Sequence, residues 1–354
     1  MRFYCFYRQN TAREKMKPFL TKAQKIGKCL LPLIGLFIHT KSNAAVEWQS
    51  LSANIQFIQQ PDRLRFYDSN QVLIQGSECA LLVDASGNFA AVEQLVTELK
   101  QRLKTPLCYL VATHFHDDHL LGMAVMQHYF PDAKLITHQQ VANDFSRYQQ
   151  ALTDKLEGFE KSIELSYQRL ATLPDAEQTQ WREKLTRAKT RLFRWQGYQL
   201  TPPKMIISES KTLDLGGYTL TISPHQAHTN GDLTLLADKG KTLIGGDIID
   251  WLPYPGHGEL KQWQNLLKKY INNNTLSLFI PGHGDLVDKV KLKQSLTFLE
   301  AITEHAKNNP DANIEQLQKN FPSEALKPYQ QEPLDIKSSN LFLQSGLLRA
   351  KNSQ

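Results

Sequence analysis

Residues 114 to 119 read His-Phe-His-Asp-Asp-His, directly after the apolar run Leu110-Val111-Ala112. Four side chains able to bind a divalent metal, His114, His116, Asp118 and His119, therefore fall within six residues at the end of a predicted strand. The alternation of an extended chain sends His114 and His116 to one side, and the following turn can fold Asp118 and His119 back toward them. Three later segments also place His or Asp at the end of an apolar run. His225 and His228 follow Leu220-Thr221-Ile222, Asp247 follows Leu243-Ile244-Gly245-Gly246, and His283 follows Ile280-Pro281-Gly282. These donors are nitrogen and oxygen, a set that suits zinc as the default and admits iron or manganese. Sulfur is not expected among them, because Cys79 and Cys108 lack a metal-type Cys-x-x-Cys spacing.

Such ligands need a β-scaffold to hold them, and the surrounding pattern supplies one. Short β-rich runs come first, at Leu64-Arg65-Phe66-Tyr67, Gln71-Val72-Leu73-Ile74 and Cys79 to Asp84. An amphipathic helix near 89–103, the strand ending at Ala112, a helix near 120–129 and a strand at 134–137 then give βαβ alternation. Over about 139–197, Leu152, Leu156, Phe159, Ile163, Tyr167 and Leu170 recur at helical spacing, as do Trp181, Leu185, Ala188, Leu192 and Trp195. Two long helices joined near Pro174 fit this, with Asp175 as N-cap and Gln178 three residues on. Strands resume near 212–223, 232–237 and 241–245, and a helix over 259–272 leads into Ser277-Leu278-Phe279-Ile280. Residues 311–354 read as a helix followed by a polar tail.

The chain of 354 residues is 41% hydrophobic, enough for one large core, and reads as one elaborated domain over 45–310. Its formal charge of +6 is confined to the start: residues 1–44 hold nine Lys+Arg and one Asp+Glu, leaving 41−9 = 32 basic and 35−1 = 34 acidic residues beyond. That near-neutral remainder offers no electrostatic case for nucleic acid. The first 44 residues have the parts of a secretory signal: Lys17, Lys22, Lys25 and Lys28, an apolar stretch from Cys29 to Ile38, and Ser42-Asn43-Ala44 as a cleavage site, with Met16 an alternative start. A stretch that short is no stable membrane anchor. A periplasmic or secreted location is the expectation. Cys79 and Cys108 each lie five residues before a predicted strand end, so an exported chain could join them; two buried core thiols are the alternative.

The order of motifs is distinctive: H-x-H-x-D-H, His228 in Ala-His-Thr-Asn-Gly-Asp, Asp247 in Gly-Gly-Asp, and His283 in Pro-Gly-His-Gly. Over roughly residues 60–300 this resembles the metallo-β-lactamase superfamily. The resemblance implies an α/β fold, a four-layer αββα sandwich with a helical insertion, carrying metals on loops at one edge of two sheets. It assigns His114, His116 and His228 to one metal and Asp118, His119 and His283 to a second, with Asp247 bridging. Two Zn2+ per chain are implied. A metal-bound water whose pKa falls from about 15.7 toward about 7 would then supply hydroxide to attack a carbonyl. Asp118 would orient it and pass a proton to the leaving group, and Asp84 would fix a histidine tautomer.

The implied function is an exported dinuclear zinc hydrolase acting on an ester, thioester, lactone or lactam of a small molecule. An iron-dependent sulfur dioxygenase of the same superfamily and a true β-lactamase are the alternatives. Lactamases with cysteine at the position of Asp247 carry a carboxylate-binding lysine three residues on, where Asp250 stands here, which turns the expectation toward neutral substrates. His225 and His257 either line the cleft or sit on exposed loops, and His128, His138 and His305 are expected on element surfaces. The helical pair either overhangs the site or packs as a buttress or dimer contact.

Overall fold

Alternating apolar residues in the short strands have two faces to bury, and the chain buries them by stacking two sheets. In the computed structural model, residues 46–172 and 174–353 are described. The first sheet contains β1 (Glu47–Ser50), β2 (Ile55–Gln59), β3 (Gln71–Gln75), β4 (Ala80–Val83), β5 (Leu107–Val111), β6 (Lys134–His138) and β7 (Met205–Ile207), in that spatial order. Strands β1 to β4 pair antiparallel and β4 to β7 parallel. The second sheet has β8 (Lys211–Asp214), β9 (Thr219–His225), β10 (Asp232–Ala237), β11 (Thr242–Gly246) and β12 (Leu278–Pro281), with β12 parallel to β11 at one edge.

On β3 and β4 the alternation decides the layers. Val72, Ile74, Leu81 and Val83 face the second sheet, meeting Leu220, Ile222, Leu233, Leu235 and Ile244. Leu73, Ala80 and Leu82 face outward, beneath α1 (Phe89–Arg102) and α3 (Met123–Tyr129), which follows the short α2 (Asp117–Leu120). After α4 (Gln139–Asn143), the long α5 (Phe145–Leu170) and α6 (Asp175–Trp195) extend this outer layer through Phe145, Tyr148, Leu152, Leu156 and Leu192. The other outer layer is α7 (Leu260–Asn272), α8 (Lys289–Asn308), α9 (Ile314–Lys319), α10 (Ser323–Leu326) and α11 (Pro333–Asn352), packed on the second sheet. This is the expected αββα sandwich. Among the described residues no helix is long and apolar enough to cross a membrane.

Several local expectations fail for identifiable reasons. Leu64 to Tyr67 is not a strand: Asp62–Leu64 is a 3-10 turn, and backbone N–H groups of Arg65, Tyr67 and Asp68 bond back within the turn rather than to a neighbouring strand. The flanking strands stop short of it, β2 ending at Gln59 before Pro61 and β3 beginning at Gln71. The run near 212–223 is a hairpin, because Gly216 and Gly217 take φ of 89° and 68° and turn the chain between β8 and β9. Pro174, not Asp175, occupies the N-cap of α6, and Gln178 Nε2 reaches the Asp175 carboxylate at 3.4 Å. The segment after 310 is no polar tail: α11 buries Leu343, Gly346, Leu347 and Ala350, and Arg349 donates to the Gly258 carbonyl at 2.8 Å. Its apolar positions are spread around the helix, which hid the amphipathic signal. The expected leader lies outside the described residues.

Candidate metal centre

Strands β4, β5, β11 and β12 all end at one edge of the sandwich, and the metal-type side chains collect there. His114, His116, His228 and Asp247 bring ligand atoms together in one group, and Asp118, His119 and His283 in another. His116 Nδ1 lies 2.9 Å from His114 Nε2 and 3.1 Å from His228 Nε2, while Asp247 Oδ2 is 3.3 Å from His228 Nε2. In the second group, His283 Nε2 lies 3.3 Å from His119 Nε2 and 3.2 Å from Asp118 Oδ2. Asp247 reaches this group too, with Oδ1 3.1 Å from His119 Nε2. All seven predicted ligands therefore converge, with Asp247 between the groups.

The spacing tests whether metals fit. Zinc–nitrogen bonds of about 2.0–2.1 Å in a tetrahedron place neighbouring ligand atoms about 3.3–3.4 Å apart, close to the separations found here. Nitrogen atoms facing one another this closely cannot all be satisfied by their own protons. Asp247 Oδ1, moreover, is buried and, although 3.1 Å from His119 Nε2, makes no well-aligned hydrogen bond among the described residues. An all-oxygen-and-nitrogen donor set with an orphaned carboxylate oxygen fits divalent cations.

Charge is arranged accordingly. Burial and mutual repulsion hold His114 and His116 well below the usual histidine range, and burial brings His228 down to about 4. Burial also opposes protonation of His119 and His283, but Asp247 and neighbouring acids outweigh it and raise both. Against its own burial, Asp247 is held low by His119, His283, His114 and His228.

The residues around the ligands aim them. Asp84, strained at φ 60°, accepts from the Thr113 amide at 2.7 Å and from its hydroxyl at 2.9 Å, and holds His119 Nδ1 at 2.9 Å. His116 turns Nε2 outward to His257 Nδ1 at 2.7 Å, so His257 does belong to the cleft. The loop before β3 braces the same region: Ser69 Oγ donates to the Asp118 carbonyl, and Asn70 Nδ2 to the Gly284 carbonyl at 2.9 Å. Asp232 shapes the loop carrying His228, accepting from the amides of Ala227 at 2.9 Å and Thr229 at 3.0 Å. Its signal was present as the last residue of Ala-His-Thr-Asn-Gly-Asp, whereas Ser69 and Asn70 had no recognisable spacing.

Two glycines permit the approach of Asp247. Gly246 has φ 51°, and a Cβ at Gly282 would stand 2.0 Å from Asp247 Oδ1. The remaining histidines do other work. His225 binds Thr234 Oγ1 at 2.9 Å away from the cluster, His138 caps α4, His128 packs on Tyr129 and Tyr198, and His305 meets the Leu317 carbonyl at 3.0 Å.

Asp250 is not the exposed anion that its position suggested. It is buried, and Oδ1 accepts the His283 amide at 3.0 Å. Burial and the adjacent Asp247 push its carboxyl well above the usual range. It can also join a ligand group with Asp247 and His283. The expected repulsion of an anionic substrate by an exposed Asp250 thus loses its physical basis, and Arg65 and Lys291 line the same cleft.

Comparison with known proteins agrees with this geometry. The metallo-beta-lactamase superfamily model matches residues 64–283. The human acyl-coenzyme A thioesterase MBLAC2 is 25% identical over 261 residues, covering 68% of this chain and 82% of that protein. A probable metallo-hydrolase of Methanocaldococcus jannaschii is 24% identical over 241 residues, covering 66% and 96%. A solved metallo-beta-lactamase from Pontibacter korlensis shares the fold at a TM-score of 0.50 and 19% identity, covering 72% of this chain and 99% of that one. With a family match over more than half its length and a clustered His/Asp site, the chain belongs to the metallo-β-lactamase superfamily and is one of its hydrolases.

Proposed function

We propose that the chain is an exported dinuclear zinc hydrolase that opens an acyl carbonyl bond, a thioester above all. The observation that carries the reading is the pair of ligand groups sharing Asp247. The thioester preference is supported by the likeness to human acyl-coenzyme A thioesterase MBLAC2, at 25% identity. Export is supported by the leader pattern and by the Cys79–Cys108 disulfide joining β4 to β5, a bond that persists in oxidising compartments.

His114, His116 and His228 would hold one zinc ion, Asp118, His119 and His283 the other, with Asp247 touching both. Ions so held supply Lewis acidity toward a carbonyl oxygen and acidify water at neutral pH. Asp118 is the carboxylate open to the cleft, its side chain 22% exposed against 7% for Asp247. It can therefore accept a proton from the attacking water and return it to the leaving sulfur or oxygen. Asp84 keeps the His119 Nδ1 proton in place, so that Nε2 faces the site with its lone pair.

Metal analysis of purified protein should give about two zinc ions per chain, one for each ligand group. A single iron with oxygen uptake would instead establish the sulfur dioxygenase alternative. Asp118→Asn should reduce thioester turnover on the order of 10²-fold or more, and unchanged turnover would remove Asp118 from the mechanism. Protein recovered from the native envelope should begin near Ala45, and an intact leader in a cytoplasmic fraction would refute export.

A further inference from the structure

Between the inner face of the α5–α6 pair and the loop before β3 lies a cleft of 640 Å3. Leu64, Phe159, Ile163, Ala188 and Trp195 give it an apolar lining, and Asp118 lines the same space. The wall is fixed rather than loose. Trp195 Nε1 donates to Glu93 Oε1 at 3.2 Å, and its ring sits edge-on to Phe89 and tilted against Phe159, both at 5.7 Å. An ion pair, Arg194 to Glu93 at 2.6 Å, also ties α6 to α1. Beside Asp118 the lining carries two acids, Asp68 and Asp117, and two bases, Lys155 and Arg191, with Lys155 3.6 Å from Asp117.

The cleft on the other side of the centre is different. It holds 500 Å3 and contains Arg65, Lys291, Glu332 and Asp335 beside His283. Arg65 is bound there to Asp335, Glu332 and Asp62. A substrate with a polar reacting group and an apolar arm is therefore sorted by the two clefts. Its arm gains more by leaving water on the α5–α6 side than in the more highly charged cleft, where Phe66, Trp251 and Leu252 share the lining with five acids and two bases.

We propose that the α5–α6 cleft is an acyl-chain subsite, seating the apolar chain of an acyl group while its carbonyl carbon lies beside Asp118. This deepens, and rests on, the hydrolase reading above. It makes the helical insertion a determinant of chain-length specificity. Complete burial of a methylene contributes about threefold to fourfold in affinity, and in a cleft open to water on one side the gain per methylene is a small part of that.

The test uses the zinc-loaded protein with butanoyl, octanoyl and dodecanoyl thioesters of N-acetylcysteamine, whose small neutral head removes any contribution from a larger carrier. The wild type should show kcat/KM for dodecanoyl about tenfold or more above butanoyl, carried mainly by KM. Ala188→Trp fills the cleft and should lower that ratio about tenfold, and Ile163→Ser should lower it by a smaller factor in the same direction. A direct titration with dodecanoate provides a readout independent of turnover, with weaker binding expected in both variants. The same chain-length ratio in all three proteins, or equal dodecanoate affinity, overturns the subsite. If no thioester is hydrolysed but dodecanoate binding falls in the variants, the cleft stands as an acyl site and the hydrolase reading fails instead.

Discussion

His114, His116 and His119, carried by the first sheet, each have the outer ring nitrogen held by a side chain: Thr113 Oγ1 at 3.1 Å, His257 at 2.7 Å and Asp84 at 2.9 Å. On the second sheet, His228 and His283 bury Nδ1 with no partner among the described residues, and their aim comes from the backbone instead. Asp232 anchors the amides around His228, Asp250 holds the amide of His283, and Gly246 and Gly282 let the chain close on Asp247. The first sheet thus fixes rotation and tautomer of its ligands, and the second fixes their position. Side-chain anchoring responds to loss of a proton donor or acceptor, whereas backbone anchoring responds to added volume.

That contrast can be broken at either end. The largest effect is expected from Gly282→Ala, because the new Cβ meets Asp247 Oδ1 at 2.0 Å and the Asp247 amide nitrogen at 2.9 Å. Displacing the carboxylate shared by both groups should cost on the order of 10²-fold or more in activity, with bound metal falling at both positions by elemental analysis. Full metal content and full activity would show that β11 and β12 yield more readily than their packing implies.

Asp84→Asn should come next. The amide can still accept from Thr113 but cannot stabilise the His119 tautomer as a carboxylate does, so metal affinity or activity should fall about 10- to 100-fold. Competition with a chelator would place the loss at the group containing Asp118 and His283, and an equal loss at both groups would contradict side-chain aiming of His119 alone. His257→Gln should be the mildest, about tenfold or less. His257 is exposed at the mouth, and glutamine can still meet His116 Nε2. A loss larger than that of Asp84→Asn would reverse the order and give His257 a direct part in the reaction.

The helical pair and the C-terminal helices show how far a sequence can be read. The 139–197 pair was legible because Leu152, Leu156, Leu185 and Leu192 repeat at helical spacing and bury one side. Its role as packed wall was not, since Trp195 could have faced any partner until it met Phe89 and Phe159. Helix α11 was missed because exposed Leu341 and Leu348 put apolar residues on other faces and blur the helical spacing of Leu343, Gly346, Leu347 and Ala350, the face that packs on α8 and α9.

By itself, the sequence determined the ligand types, the order in which they occur, and the strand ends that carry them. Those depend on local spacing, where a two-residue alternation and a run of apolar residues leave few choices. Only the tertiary structure decided that His257 belongs with His116 across 141 positions, that Asp250 turns inward to the His283 amide, and that Cys79 and Cys108 meet. Each of those contacts joins segments whose separation along the chain carries no periodic signal. Their proximity comes from the stacking of two sheets, which the burial of Val72, Ile74, Leu233 and Leu235 drives without regard to the polar residues carried along at the edge.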